Sequence, residues 1–340
     1  MDGFFRLFVG LLQKDSGYHD KIILINSSWF PSVHLMKKNI LSILDVAEEI
    51  EEIIDLGIKL KHDVKAGKQF NNLQGKTLAM IFERQSTRTR LSFEVGMTLL
   101  GGHAIFLTGG EMGIGQRESP GDIARVLSRY VDAIMYRPIN TLYLQELAAH
   151  ATVPVINGLD REEHPCQILA DLMTIKEKKG RLEGLTFTFV GDGDDNLAHS
   201  YLLGCTLTGM NVTVISPKKY WPNEYYATRS KDIAWKKNHS VSITEDLNAV
   251  AQTDVIATDT HVSFWFEHER QQRCTDLCNY VITQEIMKKA KPDVIFMHCM
   301  PIYYGEEVTK DVAHGQNSVV IDEAENRLWA QMALLTKLLS

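Results

Sequence analysis

One short stretch sets the terms for the whole chain. The run Thr77-Leu78-Ala79-Met80-Ile81-Phe82 passes through Glu83-Arg84-Gln85 into Ser86-Thr87-Arg88-Thr89-Arg90. A helical pattern then follows in Leu91, Phe93, Val95, Met97, Leu99 and Leu100. A continuous apolar run of this length reads as a strand buried on both faces, as in a parallel sheet. Parallel strands need long crossovers, usually helices. Ser86–Arg90 therefore sits where a strand ends and a helix begins. A helix N-terminus offers free N–H groups and a positive dipole end. Hydroxyls and guanidiniums added there suit a phosphate. The simpler reading is a capped helix start followed by surface arginines.

The same strand-then-helix pattern recurs along the chain. Ile40 to Lys61 carries apolar residues at helical spacing, with Asp45 ahead of Glu48 and Glu49 as a start signal, and predicts an amphipathic helix. Strands are expected at 77–82, 103–107, 131–136 and 153–157, and helices at 88–101, 120–130, 141–151 and 168–179. A second series follows. Its strands are expected at 187–190, 212–216, 253–258, 293–298 and 318–321, and its helices at 196–208, 222–237 and 323–339. The Gly-rich segment 109–120 is long for a connection and reads as a functional or mobile loop.

The pattern predicts an α/β fold of two domains, each a mainly parallel sheet flanked by helices, joined by interdomain helices. Ligands in such sheets bind beyond the carboxyl ends of the strands. Ser86, Arg137, His164, Asp195, Asp259 and Cys299 all follow predicted strands, which points to a catalytic cleft between two halves.

Charge and cysteine content narrow the function classes. A net charge of -7 argues against general nucleic-acid or anionic-membrane binding, so an anionic ligand needs a local basic pocket. No stretch approaches the ~20 apolar residues of a membrane span. The five cysteines, Cys166, Cys205, Cys274, Cys278 and Cys299, form no paired framework, which fits a reducing, cytoplasmic compartment. Cys274 and Cys278 have no second pair to complete a zinc site. The first residues lack the basic leader and cleavage site of a secretory signal and the Arg/Ser content of a transit peptide. Residues 1–35 are expected to be an extension outside the main fold, with Met36 an alternative start.

Other constellations have bland and chemical readings side by side. Gly191-Asp192-Gly193-Asp194-Asp195 is similar to a dinucleotide turn, but it lacks the third glycine, and its carboxylates would repel a pyrophosphate. His164-Pro165-Cys166-Gln167 sits just before a helix and can hold a carbonyl and an NH2 group, or be structural. His298-Cys299-Met300-Pro301 ends a strand, where a buried thiol is usually inert and a proline can fix the turn through a cis bond.

Taken together, Ser86–Arg90, Arg137, His164–Gln167, Asp259 with Ser263, His298–Pro301 and Glu325-Asn326-Arg327 resemble the aspartate/ornithine carbamoyltransferase family, and its ornithine branch most. The resemblance covers about Asn39 to Leu339. It implies a carbamoyl-phosphate domain at 36–165, a linking helix at 166–181, an amino-substrate domain at 182–321 and a C-terminal helix at 322–340 returning to the first domain. It implies transfer of a carbamoyl group from carbamoyl phosphate to L-ornithine, giving citrulline and phosphate, in a homotrimer or a multiple of trimers, without a cofactor or metal. A diamine acceptor such as putrescine, or a non-catalytic carbamoyl-phosphate binder, are the alternatives.

By the same resemblance, Ser86, Thr87, Arg88 and Thr89 hold the phosphate, with Arg137 and Arg327 adding charge. Arg137, His164 and Thr89 polarise the carbonyl oxygen. Gln167 and the carbonyls of Cys299 and Met300 hold the carbamoyl NH2, and Gln116 reaches a neighbouring subunit's site. Asp259 and Cys299 bind and deprotonate the amine, with Asp195, Asn196, Ser263 and Phe264 around the acceptor. The family's Ser-Met-Gly loop here reads Ser263-Phe264-Trp265, and its pair of asparagines reads Asp195-Asn196.

Overall fold

The computed structural model describes residues 38–340; the expected extension at 1–35 lies outside the described residues. The elements are, in order, α1 (Ile50–Lys65), β1 (Thr77–Phe82), α2 (Thr87–Leu99), β2 (His103–Thr108), α3 (Gly109–Met112), α4 (Pro120–Leu127), β3 (Ala133–Arg137), α5 (Thr141–His150), β4 (Val155–Asn157) and α6 (Pro165–Lys179). The second half holds β5 (Thr186–Val190), α7 (Asn196–Leu207), β6 (Asn211–Ile215), α8 (Glu224–Lys236), β7 (Val241–Thr244), β8 (Val255–Ala257), α9 (Arg270–Leu277), α10 (Gln284–Met287), β9 (Ile295–Met297), α11 (Lys310–Ala313) and α12 (Val320–Leu339).

Two sheets result, with strand orders β2-β1-β3-β4 and β7-β6-β5-β8-β9. Every pairing between these strands is parallel. In each sheet the order reverses once, between β1 and β3 and between β5 and β8. Such a reversal opens a crevice at the strand ends, because the two following loops leave in opposite directions. Phe82 pairs with Arg137 across the first crevice, and Phe189 with Ala257 across the second. The chemically loaded loops therefore leave the sheets at their crevices.

One apolar core runs through both sheets. It joins Leu78, Met80 and Phe93 to Leu172, Phe187, Leu203 and Leu334 without a break. The helices that bridge it are α6 and α12. The apolar face of α12 packs on α1, α2 and α6, while Glu323, Arg327 and Gln331 form a buried polar stripe along it. Among the described residues no helix is long and apolar enough to cross a membrane.

Three expected elements differ. The helix expected from Ile40 does not start there: Ile40 is extended and exchanges backbone bonds with Val155 and Asn157 at the edge of β4. Ser42 and Asp45 cap a single turn, Ile43–Val46, and the long helix starts afresh at Ile50. The expected strand 318–321 is one bridge, Ser318 to Phe296; the β-branched Val319-Val320-Ile321 lead into α12 instead. The 109–120 loop contains α3, opened by a Thr108–Glu111 capping box, and a bridge from Ile114 to Glu118.

Candidate active site

The first crevice forms an anion cradle. Ser86 is extended, caps α2 and accepts the Thr89 N–H at 3.3 Å. Ser86, Thr87, Arg88 and Thr89 line a cavity of about 430 Å³ together with Arg137, His164, Gln167, Cys299, Met300 and Arg327. Sequence positions up to 241 residues apart are thus gathered at one helix start. Arg327 is held rigidly from α12, donating to Gln167 Oε1 at 2.6 Å and to Thr89 Oγ1 at 3.0 Å. With its amide oxygen turned inward, Gln331 accepts from Arg327 Nη2 at 2.9 Å and Nε at 3.1 Å.

The cradle is electrostatically unbalanced. Burial, with Arg327 and Arg88 nearby, brings the Arg137 guanidinium down to about 10. Burial first, then Arg327, Arg137 and Arg88, holds His164 well below the usual imidazole range, so its ring is neutral. Arg137 Nε and His164 Nδ1 are buried with no hydrogen-bond partner among the described residues. Unpaired buried polar groups are costly, so such a cluster fits an oxygen-rich anion.

A second cavity, of about 180 Å³, lies against the first and shares Arg137, Leu159, Phe264, Cys299, Met300 and Pro301 with it. Its other walls include Asp195, Asn196, Asp259, Ser263, Trp265 and Glu267. Asp259 follows β8, and its Oδ1 accepts the Thr260 N–H at 2.7 Å and the Cys299 thiol at 3.3 Å. Loss of solvation, followed by the Asp259 carboxylate, raises Cys299 well above the usual thiol range. Asp195 caps α7, accepting the Leu197 N–H at 2.9 Å. Burial and the charges of Asp259 and Asp192 push it well above the carboxylate range. Asn196 donates to the Asp160 carbonyl at 3.0 Å, and Ser263 Oγ is buried without a partner among the described residues.

The loop 259–266 spans the cleft. Phe264 and Trp265 stack at 3.7 Å, the Arg84 guanidinium lies 5.2 Å from the Phe264 ring, and Trp265 Nε1 donates to the Ile139 carbonyl at 3.3 Å. Phe264 and Trp265 thus rest on the first sheet's loops. Met300 has φ +60, and the bond to Pro301 is cis. The Arg88 guanidinium donates to the Met300 carbonyl at 2.5 Å, again across the cleft.

Gln116 stands apart. It lines a separate cleft with Arg117, Glu118, Tyr143 and Glu146, and is not brought to the other predicted residues within one chain. The turn 191–193 holds no dinucleotide groove: Asp192 is buried against Arg273, and a side chain on Gly193 would meet the Tyr220 carbonyl at 2.7 Å. Donor atoms of Asp259, His298 and Cys299 lie within 4.8 Å of one another, a set able to hold a metal ion. Both His298 nitrogens, however, already have protein partners.

Sequence reasoning missed several participants. Gln167 Nε2 donates to Asp171 Oδ1 at 2.7 Å and to Glu323 Oε1 at 3.3 Å, while Glu323 Oε2 accepts the His298 N–H at 2.8 Å. Burial pushes Asp171 up to about 7 and Glu323 well above its usual range, which disfavours charge on both carboxyls. The signal was present as four-residue spacing: Asp171 follows Gln167, and Glu323 precedes Arg327, each on one helix face. Arg84 carried no signal of its own, and Trp265 stood out only as a departure in the loop after Asp259.

The chain matches the carbamoyl-phosphate-binding domain of aspartate/ornithine carbamoyltransferases over residues 38–177, and the Asp/Orn-binding domain over residues 183–338. It is 47% identical to the ornithine carbamoyltransferase of Oceanobacillus iheyensis, over 92% of this chain and 97% of that one. It is 44% identical to the catabolic ornithine carbamoyltransferase of Thermoplasma volcanium, over 90% of this chain and all of that one. The solved ornithine carbamoyltransferase of Pyrococcus furiosus superposes with a TM-score of 0.86 at 45% identity, covering 90% of this chain and 98% of that one.

Proposed function

The chain belongs to the aspartate/ornithine carbamoyltransferase family, and on that footing we propose that it transfers the carbamoyl group of carbamoyl phosphate to L-ornithine, giving L-citrulline and phosphate. The observation that carries the reading is two cavities of opposite charge meeting at one wall.

In this reading the start of α2, with Ser86, Thr87, Arg88 and Thr89, takes the phosphate, and Arg137 and Arg327 add charge. Thr89, Arg137 and a neutral His164 face the carbonyl oxygen. Gln167 and the carbonyls of Cys299 and Met300 receive the carbamoyl NH2. The ornithine side-chain amine attacks the carbonyl carbon, and its new C–N bond puts negative charge on that oxygen. Donors already aimed there bind this state better than the ground state, which is what lowers the barrier. The C–O bond to phosphate then breaks, and its electron pair leaves on phosphate against the guanidiniums.

The amine must be neutral to attack. Asp259 is the group that takes its proton, since the Cys299 thiol is raised and itself donates to Asp259. Burial and the neighbouring Asp259 disfavour a charge on Asp195, which lessens its repulsion of an α-carboxylate; Asn196, Ser263 and Phe264 surround the amino-acid head. The 36–165 lobe serves the donor and the 182–321 lobe the acceptor, with 166–181 and 322–340 joining them. Five free cysteines support a reducing, cytoplasmic compartment.

The acidic acceptor walls make putrescine the competing substrate to test. With carbamoyl phosphate saturating, citrulline should form at least about a hundredfold faster, by kcat/KM, than N-carbamoylputrescine, a discrimination of the size given by a head group that is or is not hydrogen-bonded. Equal rates would reverse the assignment of Asn196 and Ser263.

The separate placement of Gln116 supports a homotrimer in which it completes a neighbour's site. R88A and Q116A proteins, each inactive, should regain activity when their subunits are mixed. Random assembly leaves roughly a quarter of the sites intact, because each site needs one good half from either parent. Absence of any recovery after confirmed subunit exchange counts against sharing.

A further inference from the structure

Glu307 lies outside both cavities, yet it ends a chain of contacts that leads into their shared wall. Its side chain is fully buried, as is that of His298. Its backbone is pinned to the second sheet's flank: the Glu307 carbonyl accepts the Ile282 N–H at 2.9 Å, and Val308 bridges to Ile282 and Tyr304. Glu307 Oε1 accepts the Tyr303 N–H at 2.6 Å and lies 3.2 Å from His298 Nε2.

The other ring nitrogen fixes the tautomer. Met300 N–H donates to His298 Nδ1 at 2.9 Å, and a backbone N–H can only donate. Nδ1 is therefore the lone-pair nitrogen, the proton is on Nε2, and Nε2 donates to Glu307. The His298 backbone is held from the other side by Glu323. Met300 itself sits at φ +60, which residues with a side chain rarely adopt. Its N–H is held by His298 and its carbonyl by Arg88. The turn's shape is thus imposed by side chains around it and not by its own preference.

We propose that Glu307 is a positioning residue for carbamoyl transfer: through His298 it holds the Met300 amide, and so aims the Cys299–Met300 turn that forms the wall between the two cavities. The proposal rests on the reaction proposed above. Without the Glu307 acceptor, the imidazole is free to turn or to move its proton to Nδ1. An N–H at Nδ1 would oppose the Met300 N–H, and the turn would relax. This is the logic by which an outer acceptor orients a histidine elsewhere, where its loss costs roughly ten- to a hundredfold.

The test is a small variant series read by kcat and KM for carbamoyl phosphate. E307M should lower kcat/KM by about ten- to a hundredfold, most of it in kcat. E307Q keeps an oxygen at Oε1 and should stay within about threefold of the unmodified protein. H298N places an amide oxygen near the Nδ1 position, so it should retain activity, and adding E307M to it should cost nothing further, the coupling expected of residues acting through one bond. If E307M does not melt cooperatively, H298Q against H298N supplies the same contrast, with H298Q the impaired one. A folded E307M with unchanged kcat/KM, an E307Q as impaired as E307M, or additive losses in H298N/E307M would each overturn the proposal. Should the unmodified protein carbamoylate no amine, the reaction assignment fails instead. The series is then read by calorimetry on carbamoyl phosphate affinity, where the same order of variants still supports the turn and equal affinities overturn it.

Discussion

Replacing Arg88 by alanine is expected to lower kcat/KM for carbamoyl phosphate by roughly three orders of magnitude or more, the loss that follows removal of a charge-assisted donor used in the transition state. Arg88 is only half-buried, and the one hydrogen bond of its guanidinium among the described residues goes to the Met300 carbonyl. It anchors no core contact, so the melting temperature should barely move. Phosphate release assayed with ornithine, beside a thermal melt, checks both halves. Near-normal turnover in a folded R88A protein would move the phosphate site elsewhere.

Arg137→Met should be as damaging to activity but, unlike R88A, should raise stability. The guanidinium is enclosed, faces Arg327 and Arg88, and keeps only a long 3.4 Å bond to the Gly158 carbonyl. Its fall from 12.5 to about 10 means that the charged form is disfavoured in the folded protein by roughly 3 kcal/mol. The sign follows directly. Below pH 10 the side chain is charged both folded and unfolded, so the full penalty applies at neutral pH. It is relieved only as the pH climbs from about 10 toward 12.5, where the unfolded chain holds the proton that the folded one has lost.

Methionine keeps the aliphatic bulk and removes the charge. The variant should lose about a thousandfold in kcat and gain a few degrees in melting temperature. Saturating inorganic phosphate should stabilise the unmodified protein more than the variant, because the anion offsets the charge that the variant lacks. A lower melting temperature in R137M would show that the cluster is compensated within the chain.

What the sequence disclosed follows from locality. Ser86–Arg90, His164–Gln167 and His298–Pro301 are contiguous and each follows a strand, so backbone topology alone carries them to one face. Arg327 was reachable because it lies in a recognisable motif at the start of the last helix. Residues whose role depends on a distant partner were silent. Arg84 is one arginine in a polar run until its guanidinium lies 5.2 Å from the Phe264 ring. Glu307 is one acid among many until burial places it against His298. The errors have the same origin. Val319-Val320-Ile321 is β-branched and reads as a strand, yet burial of Val320 and the following apolar face draws the chain into α12. Ile40 has helical company in sequence, but a vacant edge beside β4 claims its backbone first.

The unbroken core through both sheets bears on how such a protein can be inherited and rebuilt. Two sheets with two ligands suggest interchangeable modules, one per substrate. The C-terminal helix denies that. It begins beside the second sheet's last strand, yet spends its apolar face on α1, α2 and α6 and delivers Arg327 to the cavity at the start of α2. A lobe cut out at the linking helix takes part of its partner's interior with it. Recombination between relatives would therefore have to carry α12 with the first lobe, although the chain encodes it after the second.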